Sequence, residues 1–218
     1  MKKYLLVFFL LATTALLHAQ DSLVPHRNFR VGTRVALGAS RFSGINNMKM
    51  ESDAALQLGL IAARRYENWF SLEMHPALSL LRGRVRGVDN DSAQNSYIDY
   101  YRLYNIELPV LAVVRGGNGP LKLKGFIGPV VGFNVYGTRS RSYGDPAYNE
   151  QAGYNRQVLN DLEPVTFSGL AGAGLEWETH QGIFGADIRY YEPFTKSGII
   201  NDERFSVYAA TIGVYWMY

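Results

Sequence analysis

FSVYAATIGVYWMY, at residues 205–218, closes the chain with the pattern that decides its fold. Every second residue from Tyr208 to Tyr218 is aliphatic or aromatic, whereas the residues between them include Thr211 and Gly213. A period of two is typical of a β-strand whose two faces have different surroundings. The segment therefore predicts a terminal strand with one apolar face and one face of smaller, more polar side chains.

The N-terminus has the three parts of a secretory signal peptide. Lys2 and Lys3 precede an apolar run at residues 4–17, and Ala19 supplies the small residue of a cleavage site. The run is short for a membrane-spanning helix. We predict that residues 1–19 are removed during export.

Removal of this segment changes the charge balance of the protein. The whole chain has 22 Lys and Arg against 19 Asp and Glu, and the segment contains two lysines and no acids, so 20 basic side chains face 19 acidic ones. This near neutrality gives no reason to expect nucleic acid as a partner. We expect residues 20–28 to form a short periplasmic segment and residues 29–218 to form one domain.

Neither cysteine nor a long apolar run occurs after the signal segment. The absence of cysteine excludes a disulfide framework and a thiolate metal site. PVLAVV at residues 109–114 is among the longest apolar runs, so membrane-spanning helices are excluded. A transmembrane β-barrel is not excluded, because its strands alternate between polar and apolar residues.

Eight segments have the alternation and the length of barrel strands. They lie at residues 29–40, 54–66, 69–82, 100–114, 121–136, 165–178, 183–192 and 205–218. The connections between them are alternately long and short, beginning with a long one. Up-and-down outer-membrane barrels have long outer loops and short periplasmic turns. The sequence therefore predicts an all-β fold, an eight-stranded antiparallel up-and-down transmembrane β-barrel.

The glycines indicate which face of the barrel points inward. A soluble lipocalin-like barrel would show the same alternation with its apolar face inside. Gly125 and Gly169 share the apolar face, and nine glycines share the polar face: Gly32, Gly38, Gly59, Gly128, Gly132, Gly172, Gly174, Gly185 and Gly213. Small residues are needed inside an eight-stranded barrel, whose interior is barely wide enough for side chains. The polar face is therefore predicted to point inward and the apolar face to meet lipid.

Three prolines lie within the predicted strands. Pro76, Pro109 and Pro129 fall at similar heights on neighbouring strands, where each removes a hydrogen-bond donor from the sheet. We predict a bulge or a local break in that part of the wall. The alternative is that one of these strands is misplaced.

Four short motifs occur in order along the predicted strands: YNIELPV at 104–110, GPVVG at 128–132, GAGLE at 172–176 and DIRY at 187–190. Together they resemble the PorT-like outer-membrane β-barrel domain family of Bacteroidetes. EPF at 192–194 departs from the glycine-leucine that follows the last motif in that family. The resemblance covers residues 29–218 and implies an outer-membrane barrel, with some members serving protein secretion. It implies no catalytic residues.

Charged side chains are also predicted on the inward face. Four of them lie at similar heights on neighbouring strands, Lys122, Lys124, Glu176 and Glu178, and four lie slightly higher, Arg34, Glu73, Asp187 and Arg189. Buried charges are tolerated when they are paired. We predict that these residues form a lumenal charge network that plugs the barrel, with a small pore as the alternative.

Residue types of nucleophilic catalysis occur on the third predicted strand. Glu73, His75 and Ser79 share its inward face. They lie low in the wall, whereas lipid A occupies the outer leaflet, and residues two apart on a strand do not converge readily on one atom. We predict a non-enzymatic protein with no catalytic, cofactor-binding or metal-binding residue, and keep a lipid-A-modifying enzyme as the alternative.

Arginine and tyrosine mark the predicted outer surface. Arg82, Arg84 and Arg86 lead into the second outer loop, where they would contact lipopolysaccharide phosphates because arginine binds phosphate bidentately. The alternative is a solvated basic loop. The third outer loop, at residues 137–164, combines arginines with Tyr143, Tyr148 and Tyr154, which favours a protein partner or an adhesive role.

The predicted role is structural or accessory. It includes membrane integrity, interaction through the surface loops, or assistance to a transport or secretion assembly. The expected partners are outer-membrane lipid, lipopolysaccharide, a protein at the outer loops, and the barrel-insertion machinery. Trp216 and Tyr218 resemble the C-terminal signal that such machinery reads.

Overall fold

The computed structural model describes residues 28–44, 49–88, 96–143, 156–200 and 203–218. Its strands are β1 (Phe29–Ser43), β2 (Lys49–Glu67), β3 (Phe70–Met74), β4 (Ala77–Val88), β5 (Ser96–Gly116), β6 (Leu121–Tyr143), β7 (Arg156–Val158), β8 (Val165–Thr179), β9 (Gly182–Pro193), β10 (Gly198–Ile200) and β11 (Glu203–Met217). The described residues contain no helix that is long and apolar enough to cross a membrane. The predicted signal peptide and nearly all of the predicted periplasmic segment lie outside the described residues.

The strands form one antiparallel sheet that closes on itself. β3 and β4 are two parts of one wall strand, since both pair with β2 on one side and with β5 on the other. If that strand is counted once, and the short β7 and β10 are assigned to the outer loops, eight strands surround the interior. β1 pairs with both β2 and β11 and so closes the ring. The predicted eight-stranded up-and-down barrel is confirmed.

The wall is broken at one of the three prolines. The third wall strand is interrupted at His75 and Pro76, because Pro76 has no amide proton to donate. Backbone hydrogen bonds on both sides hold the break in place, from Leu60 N to Pro76 O at 2.9 Å and from His75 N to Pro109 O at 3.1 Å. Pro109 and Pro129 lie within the continuous strands β5 and β6. The alternative of a misplaced strand is wrong.

Exposure alternates along the wall strands with the predicted phase. On β11, Ile212 and Val214 are each 63% exposed, whereas Thr211 and Tyr215 are 1% and 4% exposed. Leucine, isoleucine, valine and aromatic side chains make up most of the outer face. A lipocalin-like barrel would have its apolar face inside, so this alternative is wrong.

The strands continue beyond the predicted outer ends. β4 and β5 remain paired as far as Val88 and Ser96, and β5 and β6 as far as Tyr97 and Tyr143. The predicted loops at 83–99 and 137–164 are therefore shorter than expected. Tyr148 and Tyr154, which belong to the predicted recognition loop, lie outside the described residues.

Candidate functional site

The interior contains two clusters of charged side chains. The lower cluster consists of Glu73, Arg115, Lys124, Glu176 and Tyr215, all at most 7% exposed. Arg115 donates hydrogen bonds to both carboxylates, and its Nε lies 2.5 Å from Glu176 Oε2. Lys124 Nζ lies 3.3 Å from Glu73 Oε2 and 3.4 Å from Glu176 Oε1. The Tyr215 hydroxyl donates to Glu176 at 2.9 Å. Two cations thus share two carboxylates.

The upper cluster is centred on Asp187. This carboxylate accepts hydrogen bonds from Arg34 Nη2 at 2.6 Å and from Arg189 Nη2 at 2.9 Å. Arg34 also donates to Gln57 Oε1 at 3.1 Å, and Gln57 Nε2 donates to Glu107 Oε2 at 2.9 Å. Because a charge-assisted hydrogen bond is stronger than a neutral one, the cluster fixes the guanidinium groups in place.

His75 joins the two clusters. Its Nδ1 lies 2.7 Å from Arg189 Nη2, and its Nε2 lies 2.8 Å from Glu73 Oε2. Arginine can only donate, so Nδ1 must accept and the proton of a neutral imidazole must be on Nε2. That proton is then donated to Glu73. The hydrogen bonds assign one tautomer and make the clusters a continuous network.

A more exposed group of charges lies near the periplasmic turns. Glu178 Oε2 lies 2.7 Å from Lys122 Nζ, and its Oε1 lies 2.9 Å from Arg65 Nη2 and 3.9 Å from Arg30 Nη1. The Glu178 side chain is 25% exposed. Lys122 and Glu178 therefore pair with each other beneath the lower cluster and close to solvent.

The predicted charged residues thus lie in three groups, of which His75 joins the upper and lower clusters. The structure brings Glu73, Lys124 and Glu176 together in the lower cluster and Arg34, Asp187 and Arg189 together in the upper one. With Arg115 and Glu107 included, the two clusters contain four basic and four acidic side chains. This balance is what a low-dielectric interior requires.

Glycine creates the space that these side chains occupy. A methyl group added at Gly213 would overlap the Arg34 guanidinium, and one added at Gly185 would overlap the Tyr215 ring. Both glycines belong to the inward face. Their absent side chains allow large charged and aromatic groups to cross a narrow barrel.

Replacement of Gly213 by alanine is expected to destabilise the barrel by about 1–3 kcal/mol, the usual cost of overpacking. The physical reason is that Arg34 must move away from Asp187. Gly125→Ala is the matched control, because its new methyl group would meet only Val114 Cγ2, at 3.6 Å. Denaturant unfolding of both variants in the same detergent checks the expectation. Equal stability of the two variants would contradict it.

Five participants were not among the predicted network residues: Gln57, His75, Glu107, Arg115 and Tyr215. Arg115 follows the predicted end of the fourth strand by one residue, but it continues the inward alternation of Glu107 and Val113. Glu107 lies in the motif that resembles the PorT-like family, without an assigned role. Gln57 is uncharged, so the one sequence feature that could have indicated its place in the network is its position on the inward face of β2. Extension of the alternation to the strand ends would have found Arg115.

The three residues on the third wall strand, Glu73, His75 and Ser79, differ in their contacts. His75 Nε2 lies 2.8 Å from Glu73 Oε2, so these two side chains contact each other. Both ring nitrogens of His75 are engaged, by Glu73 and Arg189, and Ser79 lies opposite Asn105 on β5. His75 is therefore not placed to activate the Ser79 hydroxyl. Among the described residues, no group of His, Asp and Glu is arranged to hold a metal ion.

The other predicted site residues lie on the outside of the barrel. Arg84 Nε is 3.6 Å from Asp53 Oδ2, and Arg86 Nε is 2.8 Å from Glu51 Oε1. Arg82 lies lower on the same face of β4. At the other end of the wall, the rings of Trp216 and Tyr218 are 5.3 Å apart.

Another cluster of charged side chains, centred on Asp99, links β5 and β6 above the membrane. Asp99 is fully buried and accepts hydrogen bonds from Arg139 Nη2 at 2.5 Å and from Arg141 Nε at 2.9 Å. Burial lowers the pKa of Arg141, but hydrogen bonds to Asp99 and Tyr143 outweigh it and raise this pKa overall. The Arg141 guanidinium also lies 3.7 Å from the centre of the Tyr97 ring. Two of the arginines of the predicted recognition loop therefore stabilise the wall.

Sequence comparison gives the family of this barrel. The family model described as outer membrane protein beta-barrel domain matches residues 18–198. The chain belongs to this family. Its location is therefore the outer membrane of a Gram-negative bacterium. No curated protein matches the sequence.

Solved structures of outer-membrane barrels are similar to this family member in fold. The outer membrane protein OprG from Pseudomonas aeruginosa aligns with a TM-score of 0.53 at 12% identity, over 88% of this chain and 95% of that one. Neisserial surface protein A aligns with a TM-score of 0.41 at 15% identity, over 86% and 96%. Ail, the attachment invasion locus protein of Yersinia pestis, aligns with a TM-score of 0.39 at 14% identity, over 88% and 99%. At such identity, the likeness to OprG concerns the fold alone.

Proposed function

We propose that this outer-membrane barrel is a closed, non-enzymatic scaffold that contributes to membrane integrity and presents its outer loops to a partner. The observation that carries the proposal is the lumenal network. Its clusters contain side chains from all eight wall strands, and its charged groups are hydrogen-bonded to one another or to Gln57 and are almost completely buried. An open channel would leave such groups in contact with water.

An apolar layer above the network supports the same function. The rings of Phe42 and Phe205 stack with centroids 5.3 Å apart, and Tyr101 lies 5.6 Å from Phe42. These side chains and Leu103 are at most 1% exposed. An ion moving along the barrel axis would have to displace this layer and then separate the ion pairs below it.

The partner and the cellular process belong to the proposal as well. The extended wall above the membrane, stabilised by the Asp99 cluster, gives the outer loops a rigid base. Membership of the PorT-like family and assistance to a secretion assembly stay predictions from the sequence motifs. Crosslinking in native membranes, followed by identification of the attached protein, tests this part.

The closed interior predicts that the protein inserts into planar lipid bilayers without steady ion conductance. A variant with Arg34, Phe42, Asp187 and Phe205 replaced by alanine removes one charge of each sign and the two stacked rings, so it is expected to conduct intermittently. Leu58→Ala, on the outer face, is the control and is expected to stay silent. Large steady currents through the wild-type protein would contradict the proposal and favour the small pore.

The absence of enzymatic activity has a separate test. Lipid A incubated with the refolded protein is expected to keep its acyl chains, as followed by mass spectrometry. Loss or gain of a chain that depends on His75 would contradict the scaffold and support the alternative of a lipid-A-modifying enzyme.

A further inference from the structure

Two arginines face each other on the outer surface of the wall. Arg82 on β4 and Arg102 on β5 are direct cross-strand partners. Arg102 is exposed and Arg82 is partly exposed. Opposite residues on neighbouring strands have their Cβ atoms about 5 Å apart, and like charges in this position destabilise a sheet. A third, anionic group between them would remove that cost.

The pair lies where the apolar band of the barrel ends. The next outward pair below it is Leu80 and Tyr104, and the Tyr104 ring lies 6.0 Å from that of Tyr136 on β6. Tyrosine rings of a membrane barrel favour the headgroup level. A step of two residues along a strand is about 7 Å. The two guanidinium groups therefore lie at the height of the phosphates of the outer leaflet.

The described residues provide no counterion for this pair. Higher on β4, Arg84 and Arg86 have Asp53 and Glu51 as partners. In the part of the chain that the structure describes, no Asp or Glu side chain forms an ion pair with Arg82 or Arg102. Of the four arginines described on the outer face of β4 and β5, these two have no ion pair within the described residues and can bind an external anion.

The Ser40 side chain fixes the backbone of Arg82. The pairing of β2 with β4 is irregular between Ser52 and Ala55, opposite Arg82. The Ser40 hydroxyl replaces the missing sheet contacts, since it accepts from Arg82 N at 2.9 Å and donates to Arg82 O at 2.6 Å. A binding group on a rigid element loses less conformational entropy when its ligand arrives.

We propose that Arg82 and Arg102 form a binding site for a phosphate group of an outer-leaflet glycolipid of the lipid A type. Each guanidinium can donate two parallel hydrogen bonds to phosphate oxygens. The site retains Arg82 of the arginine row predicted from the sequence and replaces Arg84 and Arg86 by Arg102. Leu78, Leu80 and Tyr104 lie directly below it and would contact the acyl chains of the same lipid.

The test measures binding of lipopolysaccharide to the purified protein in neutral detergent. Arg82→Gln combined with Arg102→Gln is expected to weaken binding by about tenfold or more, which corresponds to about 1.4 kcal/mol. The matched control is Arg84→Gln combined with Arg86→Gln, which removes the same charge from the same face and is expected to change binding by less than about threefold. An equal loss in both variants would overturn the proposal, because it would indicate a diffuse charge effect.

The choice of ligand distinguishes the sources of phosphate. Dephosphorylated lipid A is expected to bind the wild-type protein as weakly as lipopolysaccharide binds the Arg82→Gln/Arg102→Gln variant. Inorganic phosphate is expected to compete only weakly, since it lacks acyl chains. Competition by inorganic phosphate at the concentrations at which lipid A competes would overturn the assignment to a glycolipid.

The melting temperature shows whether the variant loses binding because it is misfolded. Without lipid, the Arg82→Gln/Arg102→Gln barrel is expected to be at least as heat-stable as the wild type, because the repulsion between the arginines is gone. Added lipopolysaccharide is expected to raise the melting temperature of the wild type and leave that of the variant unchanged. An equal increase in both proteins would overturn the proposal.

Discussion

Replacement of Glu176 by leucine is expected to destabilise the barrel by about 3–5 kcal/mol, the usual cost of breaking a buried ion pair by removal of one partner. Arg115 and Lys124 would then share Glu73 alone. In the double variant Glu176→Leu/Lys124→Met, one cation and one carboxylate remain in direct contact. The double variant is therefore expected to recover roughly half of the lost free energy. Denaturant unfolding in detergent measures both values.

Glu178→Leu provides the matched control for this experiment. Glu178 lies two residues further along β8 and is paired with Lys122 and Arg65, but its side chain is 25% exposed. Water compensates the loss of such a pair, so we expect a change of about 1 kcal/mol or less. Additive effects of Glu176→Leu and Lys124→Met would contradict the coupling of these residues in the lower cluster.

Deletion of residues 216–218 is expected to prevent most of the protein from reaching its folded form in the outer membrane. Tyr218 exchanges two backbone hydrogen bonds with Val31, at 3.0 and 3.3 Å, across the seam where β11 meets β1. Met217 is fully buried with Ile61 and Ile183 at the periplasmic end. Loss of these contacts removes on the order of 5 kcal/mol from barrel closure. Heat-modifiable migration on gels measures the folded fraction.

The same deletion can be separated into its two physical causes. Trp216→Phe combined with Tyr218→Phe keeps the backbone seam and the aromatic character, and it is expected to assemble normally. Refolding of the truncated protein in detergent involves no insertion machinery, so a defect there reports the lost seam alone. Normal yield and migration of the truncated protein in cells would contradict both the closure argument and the predicted role of Trp216 and Tyr218 as an assembly signal.

The eight strands and the direction of their faces could be predicted from the local pattern of residues. Each strand carries its own alternation, as in Thr211 and Tyr215 inside and Ile212 and Val214 outside, and this pattern is a local property of the chain. The glycines on the polar face indicated that this face points into a barrel too narrow for large side chains at every position. These features need no information about the register between strands.

Which charged side chains contact each other could not be predicted in the same way, because it depends on the folded barrel. Lys124 lies opposite Gly174 on β8, yet its ammonium group reaches both Glu176 on that strand and Glu73 on β3. Such contacts depend on the stagger of every strand around the ring and on the length of each side chain, which no single strand encodes. Arg115 was missed for a different reason, because the fourth strand was predicted to end one residue before it. Its partners Glu73 and Glu176 lie on β3 and β8, on opposite sides of β5 around the ring.

The arginines of the outer surface also show which features could be predicted from the sequence and which depend on strand pairing. From the sequence, Arg82 was predicted at the end of the third strand, and Arg84 and Arg86 in the outer loop that follows it. Which of them has a counterion depends on the neighbouring strands: β2 brings acids to Arg84 and Arg86, whereas β5 brings Arg102 to Arg82. Pairing between strands, which arises only in the folded barrel, therefore gives Arg84 and Arg86 acidic partners and leaves Arg82 beside a second arginine.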